Sequence, residues 1–117
     1  MIVDNNEIVR RSVERLLSRA GIPNAAATGG IEALQLLEQV KPRLILLDVT
    51  MPDMTGSEVA RQIRANRSYD HIRIFFFTAN GFPATQEQAR AYGGDDVIDK
   101  LLSDVPAFLR QIRQAIE

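Results

Sequence analysis

Leu44-Ile45-Leu46-Leu47-Asp48 is the stretch that decides the fold. Four apolar residues run without interruption and stop at a carboxylate, the pattern of a parallel strand covered on both faces. Outward from it, the chain alternates short apolar runs with longer periodic stretches. Ile2-Val3 ends at Asp4 and reads as a short first strand; 25–27 is a weak second one. Residues 72–77 form a fourth, three phenylalanines deep and ending at Thr78, and Val97-Ile98 a minimal fifth ending near Lys100. Between them, Ile8, Val13, Leu16, Leu17 and Ala20 fit one helix face, stopped by Gly21 and Pro23. Thr28 can cap a second helix whose stripe is Ile31, Leu34, Leu37 and Val40, ended by Pro42. Val59, Ala60 and Ile63 form the inner side of a helix over 57–65, and a short polar helix over 85–92 closes at Gly93-Gly94. Ser103 or Asp104 caps the last helix, with Pro106 in its first turn and Val105, Phe108, Leu109, Ile112 and Ile116 at helical spacing.

Five strand–helix units in strict alternation predict an α/β fold, a doubly wound parallel sheet with helices on both faces. They fill nearly all of the 117 residues, so 1–117 reads as one domain with no room for a second. The composition, 45% hydrophobic and 25% charged, is that of a globular protein. No cysteine is present, which excludes a thiolate metal site, a thiol nucleophile and a disulfide framework, and fits a reducing compartment. Basic and acidic residues nearly cancel at 14 and 15, which argues against a nucleic-acid binder. No apolar run reaches membrane-spanning length, and the polar start is not a signal peptide, so a cytoplasmic location is expected.

In a doubly wound sheet the active site lies at the carboxyl ends of the strands. The residues there are Asp4 and Asn5, Asp48, Thr78 and Lys100. Singly each has a plainer role, as a turn or cap residue or a solvated charge. One at nearly every strand end points instead to a shared cleft. Two carboxylates, an amide oxygen and a nearby carbonyl make the hard, oxygen-lined site magnesium prefers. A hydroxyl and an ammonium opposite can hold phosphoryl oxygens. A carboxylate facing a cation and a lysine can itself accept a phosphoryl group as an acyl phosphate.

These residues carry a resemblance. Ile2 to Glu7, Leu44 to Gly56 (LILLDVTMPDMTG), Phe77 to Asn80 and Gly93 to Lys100 (GGDDVIDK) are similar, in order and over essentially the full length, to the receiver domain of two-component response regulators, the CheY-like family. The resemblance implies a flavodoxin-like (βα)5 sheet of strand order 2-1-3-4-5, an order known for this family. It implies that Asp48 accepts a phosphoryl group from a phosphohistidine on a sensor histidine kinase or phosphotransfer protein. Thr78 would close its hydroxyl onto that group and Lys100 would pair with one of its oxygens. Magnesium would be held by Asp48 and the Thr50 carbonyl directly, by Asp4 through water, and by Asn5. Thr50 and Asn80 occupy positions that tune loss of the phosphoryl group. The effector would dock on the face of the fourth helix, fifth strand and fifth helix, with a homodimer left open and no direct nucleic-acid or membrane partner. Chemistry would be limited to phosphotransfer and autodephosphorylation, not metabolic catalysis.

Three positions depart from the family pattern. Asn5 stands where a second acidic magnesium ligand is usual, and the lost charge is expected to weaken the metal by ~1–3 kcal/mol, or about 10- to 100-fold. Leu101 replaces a proline that follows the lysine, so a trans bond is expected there, with a reshaped loop. Val97 occupies the switch position, where a ring normally moves, and Tyr92 stands where a small residue is common. These departures motivate the alternative, a phosphorylation-independent pseudo-receiver acting as a protein interaction module. A flavodoxin-like cofactor binder is disfavoured, because the turn from Asp4 to Glu7 is acidic and glycine-free. Gly29-Gly30 lacks dinucleotide-loop spacing, and His71, the one histidine, has no metal-ligating companion.

Overall fold

Alternation along a strand decides which layer each side chain joins. A computed structural model describes residues 1–79 and 81–117. Its strands are β1 (Ile2–Val3), β2 (Ala26–Ala27), β3 (Leu44–Asp48), β4 (Arg73–Thr78) and β5 (Asp96–Asp99). They alternate with α1 (Glu7–Arg19), α2 (Gly30–Val40), α3 (Gly56–Arg64), α4 (Gln86–Ala91) and α5 (Val105–Ile116). The strands pair in parallel in the order β2-β1-β3-β4-β5, the doubly wound order that the resemblance implies.

Val3, Ile45, Leu47, Ile74 and Phe76 face one layer, where Ala33 and Leu37 of α2 and Val59, Ala60 and Ile63 of α3 cover them. Ile2, Leu44, Leu46, Phe75, Phe77 and Ile98 face the other, under Val13 and Leu17 of α1 and Phe108 and Ile112 of α5. The three phenylalanines of β4 are therefore core on both sides of the sheet. Below α3, Arg64 donates to the carbonyls of Gly93 (3.0 Å) and Ile72 (2.8 Å) and pairs with Asp95 at 3.0 Å, tying α3 to β4 and to the segment leading into β5.

Two helix faces differ from the expected stripes. Ile8 is 78% exposed and Ile31 is 50% exposed, while Val13 and Leu17 of α1 and Gly30, Ala33 and Leu37 of α2 are the buried residues. Both isoleucines stand in the first turn of their helices, at the end of the sheet where the strands stop, so no strand residue lies beneath them. Thr28 is not the cap of α2. Gly29 is the capping residue and contributes no side chain; Asp53, from the loop after β3, accepts the N–H groups of Gly30 at 3.2 Å and Ile31 at 3.0 Å. Asp104 caps α5 by accepting the Ala107 N–H, as expected.

The hydrogen bond from Ile31, ahead of that from Gly30, holds the Asp53 carboxyl below its ordinary pKa of 3.8. A depressed carboxylate stabilises the fold above its unfolded pKa and loses that contribution as pH falls through the folded value. Asp53→Ala is therefore expected to cost about 0.5–1 kcal/mol at neutral pH, the worth of a helix cap. Urea denaturation should show the deficit shrinking below pH 4 or so, as wild type loses the same charge; a deficit that persists unchanged into acid contradicts the assignment.

Candidate functional site

Strand register builds the site. Val3 pairs with Leu47, so the next residues, Asp4 and Asp48, leave the sheet side by side. Asp48 in turn pairs with Phe77, and Thr78 with Asp99, so Thr78 and Lys100 each stand one residue further along on the neighbouring strands. The result is a cleft of about 390 Å³ lined by Asp4, Asn5, Asp48, Thr50, Thr78, Phe82 and Lys100, among others. Asp4, Asp48 and Thr78 are the buried polar residues of the described chain, at 0%, 5% and 4% exposure. Behind the cleft, Gly56 begins α3 against the end of β3. A Cβ at that position would lie 2.4 Å from the Asp48 carbonyl oxygen, so only glycine lets the helix approach so closely.

Lys100 holds the carboxylates together. Its Nζ lies 2.9 Å from Asp48 Oδ1 and 2.8 Å from Asp4 Oδ2. The Phe77 ring lies beside it, with its centroid 5.7 Å from the ammonium, within cation–π range. The Lys100–Leu101 bond is trans, and Leu101 turns outward at 80% exposure while the lysine points in. Burial opposes the ammonium charge, but the bonds to Asp4 and Asp48 outweigh it and hold the Lys100 pKa above its ordinary value. For Asp48, burial pushes the pKa up and the nearby Asp4 charge adds to this, against the hydrogen bond from Lys100.

Asp4 is fixed from behind. Its Oδ1 accepts the Asn6 N–H at 2.8 Å, and its carbonyl accepts from Arg10 Nη1 at 3.0 Å. Its Oδ2 is fully buried and meets the Lys100 ammonium at 2.8 Å. Thr50 is exposed, and its N–H reaches Asp48 Oδ1 only at 3.4 Å. Asn5 is exposed at the lip. No group of three or more His, Cys, Asp or Glu converges among the described residues.

Two carboxylates beside an amide and a backbone carbonyl form an all-oxygen donor set that suits a hard divalent cation. One lysine faces two carboxylates, so the cleft keeps a negative balance that a cation can offset. Asp4, Asp48, Thr78 and Lys100 are brought together. Asn5 and Thr50 stand at the rim, and Val97 packs half-buried against the core layer under α2 and α3. Asn80 lies outside the described residues. Sequence reasoning missed three contributors. Arg10 and Phe77 act through a backbone carbonyl and a ring face, which leave no motif; Phe82 reaches the lip from an irregular loop. No described helix is long and apolar enough to cross a membrane.

The family model described as the response regulator receiver domain matches residues 1–116. The polar-differentiation response regulator DivK of Brucella anthropi is 31% identical over 113 residues, covering 97% of this chain and 91% of that protein. The structure of the chemotaxis protein CheY4 of Vibrio cholerae superposes with a TM-score of 0.85 at 26% identity, over 97% of this chain and 94% of that one. The receiver domain of a sensor histidine kinase from Pseudomonas aeruginosa, described with magnesium coordinated in its active-site cleft, shares the fold with a TM-score of 0.84 at 24% identity, over 98% and 93% of the two chains. On the full-length family match and this kinship, the chain belongs to the response regulator receiver domains of two-component signalling.

Proposed function

We propose that Asp48 is the phosphoacceptor of this receiver and that a phosphohistidine on a partner kinase or phosphotransfer protein is its donor. The observation that carries the reading is the position of Lys100 Nζ, 2.9 Å from Asp48 and 2.8 Å from Asp4. An Asp48 oxygen attacks phosphorus, the P–N bond to the donor imidazole breaks, and the electron pair returns to the ring, leaving an acyl phosphate. Such a transfer needs in-line positioning and charge neutralisation more than covalent assistance. Lys100 supplies a fixed cation on one side of the new group. Thr78 supplies a hydroxyl on the other. Asp4, Asp48, the Asn5 amide and the Thr50 carbonyl would hold magnesium, which neutralises the incoming phosphoryl oxygens when bound. Asn5 brings no charge, so the metal is held weakly. The phosphorylated domain acts in the cytoplasm on an effector that meets the face formed by α4, β5 and α5.

Incubation with a small phosphodonor such as phosphoramidate and magnesium should retard wild type, but not Asp48→Asn, on phosphate-affinity gels. Failure of every donor and metal to retard wild type would sink this reading and leave the phosphorylation-independent interaction module in its place.

Asn5→Asp restores a second carboxylate at the lip, where an added charge at contact distance is worth ~1–3 kcal/mol after screening. Magnesium affinity should rise about 10- to 100-fold, read from thermal stability across a magnesium titration. An unchanged or weaker affinity would show that position 5 does not face the metal.

A further inference from the structure

Phe82, in the loop between β4 and α4, links the cleft to the surface. The Thr78 hydroxyl donates to the Phe82 carbonyl at 3.4 Å, a long and weak bond. The Phe82 ring is 50% exposed and stands edge-on to Tyr92, with ring centroids 5.7 Å apart and planes at 77°. Tyr92 is 43% exposed and caps the end of α4, its N–H donating to the Ala89 carbonyl at 3.0 Å. At the other end of the helix, Gln88 Oε1 accepts the Ala84 N–H at 2.7 Å, so the loop and α4 are fastened together. Gly81 sits between Thr78 and Phe82 at φ +75°, with open space where a side chain would be. α4 is six residues long with Ala89 as its buried residue, so little packing resists its movement.

We propose that Phe82 and Tyr92 form the element of this chain that reports the phosphorylation state of the cleft, with Thr78 as its trigger. The inference rests on phosphorylation of Asp48 as read above. A hydroxyl bonded to a phosphoryl oxygen is charge-assisted and roughly twice as strong as one bonded to a neutral carbonyl. Thr78 therefore leaves Phe82 when the phosphoryl group arrives. The carbonyl loses its tether, the segment pivots at Gly81, and the Phe82 ring changes its edge contact with Tyr92. Val97 is a half-buried aliphatic residue of β5 packed into the core, so the responding rings are those of the loop and α4, not of the strand.

Tyr69 and Tyr92 are the two tyrosines of the chain, and tryptophan is absent. Protein labelled with 3-fluorotyrosine therefore gives two fluorine resonances, which Tyr69→Phe assigns. Phosphoramidate and magnesium should shift the Tyr92 resonance and leave that of Tyr69 in place, with intact mass recorded on the same samples. Phosphorylated Thr78→Ala and phosphorylated Phe82→Ala should each retain less than half of the shift; if Thr78→Ala takes up no phosphoryl group, Phe82→Ala decides alone. A Tyr92 resonance that stays put while the mass shows a phosphorylated wild type overturns this inference and leaves the phosphoacceptor reading standing. A full shift in phosphorylated Phe82→Ala also overturns it. Absence of the mass adduct in wild type overturns both.

Discussion

One ammonium set between two buried carboxylates is the interaction on which the cleft depends. Asp4 and Asp48 leave adjacent strands in register, so their charges are forced together by the sheet itself. Opposite unit charges about 4 Å apart attract by about 4 kcal/mol at an effective dielectric near 20, and like charges repel as strongly. Burial removes the water that would otherwise screen them. Lys100 answers both carboxylates from a third strand, while burial, and after it the Asp4 charge, push the Asp48 pKa up. The arrangement concentrates negative charge where a divalent cation can offset it.

Local structure maintains that register. Gly56 brings the first turn of α3 against the last carbonyl of β3, and Asp53 reaches across to cap α2. The loop after Asp48 is thus fastened to two helices before it can carry any ligand. The opposite side of the cleft is built differently. Thr78 is fixed by β4, yet its hydroxyl meets the following loop through a long bond, and α4 beyond it buries little. The firmly held carboxylate side and the more loosely packed threonine side therefore differ in how much each packs.

Much of this was legible in the order of residues. The run Leu44–Asp48 announces a covered parallel strand and its carboxylate, and the same ending at Asp4, Thr78 and Lys100 locates the cleft before any coordinates are known. Helix faces were less legible at their ends: Ile8 and Ile31 obey helical spacing but overhang the sheet, and periodicity carries no information about where the sheet stops. The cap of α2 escaped notice because Asp53 lies more than twenty residues away, beyond any local capping rule. Leu101 in place of proline left the direction of Lys100 undetermined; two carboxylates and the Phe77 ring draw it inward. Phe82 had no signal at all, since its part comes from a carbonyl and from a ring met across a loop.

Asp48 as the phosphoacceptor is the central claim, and chemical trapping tests it at the level of the atom. Borohydride reduces an aspartyl phosphate to homoserine, which peptide mass mapping locates in the sequence. After treatment with phosphodonor and magnesium, homoserine should appear at position 48 and nowhere else. An intact aspartate at 48, or homoserine at position 4 instead, would contradict the account.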